Sequence, residues 1–140
     1  MKTFLFIVIL NLSAFVNSCS KSIDKLNEGA VELTLHSCKN GIISNDDLQL
    51  CFEAVVSDSR CPANAVCIWQ GTAVARFSFT KNKDTHTFNL ATINMAPAYH
   101  KDTTIAGYKI EFINLLPYPG TYTAPAPDHQ IKAELKITKQ

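Results

Sequence analysis

Five cysteines, Cys19, Cys38, Cys51, Cys61 and Cys67, are the side chains best suited to chemistry in this chain. They could bind metal, exchange disulfides or staple a fold. Cys61 and Cys67 stand in the stretch DSRCPANAVCIWQGTA (residues 58–73), with Pro62 after the first and the only tryptophan, Trp69, just past the second. Zinc sites in small domains space their ligands two to four residues apart and gather four thiolates or imidazoles. Five residues separate Cys61 from Cys67 and no histidine is near in sequence, so no metal is expected. Redox enzymes place Cys-x-x-Cys at a helix start; here the spacing is wrong and a strand follows. A structural disulfide is the expectation, with Pro62 setting the turn, Gly71 relaxing the backbone and Trp69 packed over the bridge as a core residue.

Remaining chemistry is sparse, and no cofactor is implied. His36, His86, His100 and His129 are scattered without ligand spacing. Asp46 and Asp47 sit in a turn-forming stretch, which carboxylates favour, with too few oxygens for a calcium loop. Ser57 and Ser59 have no nearby histidine. Asp58 and Arg60 are placed to bridge across their own loop.

Cysteine parity depends on the N-terminus. Lys2 precedes an apolar run from Phe4 to Leu10 and then small residues, the parts of a signal peptide and far short of the roughly 20 residues a membrane-spanning helix needs. Val16-Asn17-Ser18-Cys19 resembles a bacterial lipobox, in which the cysteine is acylated and becomes the first mature residue. Ordinary cleavage after Ser18 is the alternative. Lipidation of Cys19 leaves Cys38, Cys51, Cys61 and Cys67, an even set that suits two disulfides in an oxidising compartment. The predicted organisation is residues 1–18 as a lipoprotein signal peptide, 19–29 as a lipidated N-terminus with a short linker, and 30–140 as one domain. From Cys19 onward, twelve basic side chains meet twelve acidic ones. That neutrality offers no footprint for nucleic acid; the expected membrane contact is the lipid itself. Ser20 after the lipid cysteine favours the outer membrane, a secreted or periplasmic soluble protein being the alternative.

What positions these residues is a period of two. Val31, Leu33 and Leu35 share one face; so do Leu48, Leu50, Phe52, Ala54 and Val56. Ala73, Ala75, Phe77 and Phe79 follow, then Phe88 with Leu90, then Tyr108, Ile110 and Phe112, then Ile131, Ala133, Leu135 and Ile137. Six such strands predict an all-β domain, a small antiparallel sandwich or barrel. The stretches 92–103 and 117–128 read as loops because prolines are excluded from central ladders. Placing Cys38 opposite Cys51 sets His36 against Glu53 and Leu33 against Val56, matching polar with polar and apolar with apolar. Of the three connectivities four cysteines allow, this register favours Cys38–Cys51 and leaves Cys61–Cys67.

Asp58, Ser59, Arg60, Cys61 and Pro62, then Cys67, Trp69 and Gly71, and later Pro117, Tyr118 and Pro119, resemble the pattern of a family of small bacterial secreted proteins and lipoproteins. The resemblance implies a disulfide-closed β domain and no assigned activity; Cys38 and Cys51 are additions to the pattern. The expected function is a non-enzymatic envelope lipoprotein whose β domain binds or scaffolds an unknown protein or glycan. Tyr99, His100, Tyr118 and Tyr122 are the candidate contacts, since aromatics on proline-rich loops supply rigid contact area; packing at one end of the sandwich is their bland role. The alternative is a proteinase-inhibitor-like module presenting the 58–69 loop with Arg60 projecting from it. An enzyme ranks last, because it requires His86, His100 or His129 to converge with a carboxylate in a cleft.

Overall fold

The first predicted strand is continuous in sequence but belongs to two sheets. The computed structural model, which describes residues 25–95, 97–121 and 125–140, divides it into β1 (Gly29–Thr34) and β2 (Ser37–Ile43). The switch takes two residues. Leu35 N–H donates to Ile131 O of one sheet and His36 N–H donates to Phe52 O of the other, both at 2.9 Å. His36 reaches this geometry with φ of 61°, and Ser37 Oγ braces the corner by donating to Thr34 O.

Six further strands complete the domain: β3 (Asp46–Asp58), β4 (Ala73–Lys81), β5 (Asp84–Ala91), β6 (Asp102–Ile105), β7 (Tyr108–Leu116) and β8 (Lys132–Lys139). They form two four-stranded antiparallel sheets, ordered β1-β8-β7-β6 and β2-β3-β4-β5. The architecture is therefore the expected all-β sandwich, with eight strands where six were predicted. Strand β6 takes Asp102 and Thr103 out of the predicted loop. Its ladder to β7 is short enough that period alone could not reveal it.

The alternating apolar residues face inward between the sheets. Phe77 lies at the centre, its ring 5.3 Å from both Phe52 and Phe112 and 6.1 Å from Phe88. Val31, Leu33, Ile110, Leu135 and Ile137 close the core from the other sheet. Strand β3 departs from simple alternation: its register against β4 shifts between Phe52 and Ala54 and again between Val55 and Ser57. Each bulge adds an unpaired residue and inverts the faces beyond it. Val55 consequently packs against the core while Val56 is exposed, reversing the inward placement expected for Ala54 and Val56.

Cys38 and Cys51 are directly opposed and bonded, and Cys61 is bonded to Cys67. Both expected disulfides are present. The wider register needs correction, because the chain changes sheets before Cys38. Leu33 faces Ala133 rather than Val56, and His36 approaches Asp128 at 3.6 Å on the surface rather than Glu53. Glu53 instead accepts a hydrogen bond from Ser78 Oγ.

One polar tie joins the sheets at the end where the chain enters. The buried Tyr108 hydroxyl lies 2.8 Å from Asp46 Oδ2 and 3.0 Å from Ile43 O, and Lys81 Nζ pairs with Asp46 Oδ2 at 3.1 Å. Burial, then the Asp46 carboxylate, pushes the Tyr108 hydroxyl up to about 12. Asp46 is held below its usual range, first by the Tyr108 hydrogen bond and then by Lys81. The folded state thus keeps the tyrosine proton that the unfolded chain releases near pH 10. This contribution is complete below pH 10 and disappears as pH rises toward 12. Urea unfolding between pH 8 and 12 is expected to show that alkaline loss, and Tyr108→Phe is expected to reduce its slope. Removing Cys38–Cys51 by paired alanine substitution is expected to cost about 2–3 kcal/mol in the same measurement.

Candidate functional site

The loop between β3 and β4 begins as an extension of their ladder. Ser59 N–H donates to Thr72 O and Cys61 N–H to Gln70 O, each at 2.9 Å. The two legs run so close that a Cβ on Gly71, whose φ is +68°, would stand 1.8 Å from Ser59 O; only glycine fits. Beyond Cys61 the chain turns, with Ala65 N–H donating to Pro62 O, and the Cys61–Cys67 bond closes the tip.

Below the tip lies Arg60, 7% exposed. Its Nε and Nη2 donate to the two oxygens of Asp58 at 2.9 and 2.7 Å, and its Nη1 donates to Leu115 O at 2.6 Å. Its guanidinium carbon stands 4.7 Å from the centre of the Tyr118 ring. A further bulge, between Phe112 and Asn114 of β7, shifts the register just ahead of Leu115. A planar donor fork gripping a carboxylate on one side and a carbonyl on the other is the geometry arginine supplies and lysine does not. The turn after β7 also meets the loop directly. Ala63 N–H donates to Pro119 O at 2.9 Å, and a Cβ on Gly120 would come within 2.7 Å of Asn64 Oδ1.

This underpinning changes what the loop presents. The expected Asp58–Arg60 bridge is present, but Arg60 does not project, so the residue an inhibitory loop was expected to display is turned inward. Trp69 does not pack as a core residue either. Its side chain is 56% exposed, because the space below the loop holds Arg60 and Tyr118. Val66 and Ile68 are fully exposed beside it. Three large apolar side chains thus stand on a covalently closed tip, and no charged residue occurs between Cys61 and Gln70. Sequence reading assigned Trp69 to the interior and overlooked Val66 and Ile68. The available signal was negative: residues 61–70 lack the alternation that places side chains in a sheet face.

The aromatic candidates separate. Tyr99 and His100 are exposed, on a turn held by the Met95–Tyr99 bridge, and with Val56, Leu90 and Ala98 they line a cavity of about 160 Å³. Tyr118 is half-buried under Arg60 and acts as support. Tyr122 and Cys19 lie outside the described residues. The histidines do not meet in a cleft: His36 contacts Asp128 in the open, and His86 and His100 are exposed on separate segments. Among the described residues, no three His, Cys, Asp or Glu side chains gather to hold a metal. A larger cavity of about 710 Å³ lies at the opposite end, with Leu26, Ile42 and Leu48 beside Lys25, Lys83 and Asp47. Its mixed charges select no single ligand class.

Two closed disulfides belong to a chain that matures outside a reducing cytoplasm, and no helix among the described residues is long and apolar enough to cross a membrane. Comparison with protein-family models, with curated proteins and with solved structures finds no match.

Three substitutions separate display from support. Arg60→Ala, which leaves the buried Leu115 carbonyl without its donor while water takes over the partly exposed Asp58 carboxylate, is expected to cost about 1–3 kcal/mol in urea unfolding. Val66→Ser and Ile68→Ser are each expected to change stability by less than about 0.5 kcal/mol, because neither side chain is buried.

Proposed function

We propose that this chain is a lipid-tethered, non-enzymatic domain of the cell envelope that binds a partner through the Cys61–Cys67 loop. The observation carrying the reading is that tip. Val66, Ile68 and Trp69 are exposed while a buried arginine clamp fixes the backbone beneath them. Stability alone gives no reason to expose apolar side chains on a braced loop, whereas a contact surface gains from both features. Rigidity reduces the ordering cost of binding, and tryptophan is among the residues enriched at interface hot spots.

The tether follows from parity. Four cysteines are paired among themselves, which leaves Cys19 as the fifth. The Val16–Cys19 pattern supplies its modification, and Ser20 favours the outer membrane. Tyr99 and His100, at the same end of the sandwich as the loop, are a secondary contact area for a protein or glycan.

Intact mass of the native protein before and after reduction tests the proposal. The expected result is an acylated N-terminus at Cys19 and a gain of four hydrogens on reduction. Cys19→Ser is expected to move the chain from the membrane fraction to the soluble one. Free thiols in the native protein, or unchanged fractionation of the variant, would overturn the tether.

A further inference from the structure

The two ends of the sandwich carry different things. The chain enters at the end where Leu26 N–H donates to Asn40 O and Gly29 pairs with Ile137. The disulfide loop leaves from the other end, where Asp58 pairs with Ala73. Strand β3 runs from the first end to the second, and its thirteen residues span roughly 40 Å at about 3.3 Å per residue. Only five residues separate Cys19 from Lys25, enough for about 20 Å of extended chain. A tether at Cys19 therefore holds one end near its membrane and points the loop away from it.

From this polarity we infer that the loop occupies a concave apolar pocket in a folded protein partner lying on the side away from the tethering membrane. This deepens the proposed function and rests on it. Three points choose a protein pocket over a bilayer. The first is magnitude. Side chains entering lipid gain about 0.8 kcal/mol per methylene, and a whole myristoyl chain gives only marginal binding. Val66 and Ile68 together bring about half that hydrocarbon, and the indole of Trp69, which favours the headgroup level over the acyl core, raises the tip to no more than that marginal range. The second is charge. Stable anchoring takes a second signal, commonly a basic patch, but residues 61–70 carry none and the nearest cation, Arg60, is buried against Asp58. The third is shape. The tip is convex and braced, so it suits a preformed hollow wide enough for an indole. Two such tips facing each other would leave most of their surface in water, which disfavours a second copy as the occupant.

Trp69 is the only tryptophan and so reports on the tip directly. The exported full chain bearing Cys19→Ser, titrated with phosphatidylcholine vesicles and with vesicles containing phosphatidylglycerol, is expected to show no blue shift in emission. A shift with either would overturn the inference in favour of lipid. In the cells that make the protein, a photoreactive phenylalanine analogue replacing Ile68 is expected to yield one discrete protein adduct. Its yield should be at least tenfold above that from the same analogue replacing Ile42, which is exposed at the opposite end. The adduct should disappear when Val66→Ser and Trp69→Ser are added. No adduct at position 68, equal adducts at both positions, an adduct of two copies of the chain, or an adduct that survives the added substitutions would each overturn it. Fractionation of the same cells separates the two readings. A membrane-bound chain without the adduct sinks the pocket alone, and a soluble chain that still forms it sinks the tether alone.

Discussion

A buried guanidinium organises the end of this domain that carries the disulfide loop. Arg60 follows β3, yet its donors reach Asp58 on one side and the Leu115 carbonyl of β7 on the other, so it joins the two sheets across the open end of the sandwich. Burying a charge is costly unless it is paired and its donors are used. Here both conditions are met, and no buried side-chain nitrogen or oxygen among the described residues lacks a hydrogen-bond partner. With the clamp in place, the apolar core need not extend under the loop. The Cys61–Cys67 tip stands free of it, and its valine, isoleucine and tryptophan have nowhere inward to go.

Two kinds of constraint therefore share the work. In the body, phenylalanine packing around Phe77 and the opposed Cys38–Cys51 pair join strands that are neighbours in space. At the ends, polar ties take over: Tyr108 with Asp46 and Lys81 at one, Arg60 with Asp58 and the Leu115 carbonyl at the other. Each tie links residues from both sheets. The difference between the ends is what lies outside them. One receives the N-terminal chain, and the other displays a rigid apolar projection.

Much of the body was legible in the sequence, because alternation with period two reports directly which residues face a core. The strands containing Ala73–Phe79, Tyr108–Phe112 and Ile131–Ile137 follow that pattern; the Cys38–Cys51 pairing holds, although the face matches used for it, Leu33 with Val56 and His36 with Glu53, do not form. The errors fall where alternation breaks. The β3 bulges send Val55 inward in place of Val56, and the corner at Leu35 and His36 moves the end of one predicted strand, Ser37 and Cys38, to the other sheet. Neither event changes composition, so neither left a mark in the pattern of apolar residues.

By itself, then, the sequence determined an antiparallel β domain, the pairing of four cysteines and the closeness of Asp58 to Arg60, since all three depend on short-range spacing and on which face a side chain occupies. Tertiary structure alone decided that Arg60 turns inward and Trp69 outward. That outcome depends on the Leu115 carbonyl and the Tyr118 ring, more than fifty residues away, filling the space beneath the loop. Local spacing carries no information about a cavity whose walls come from distant strands.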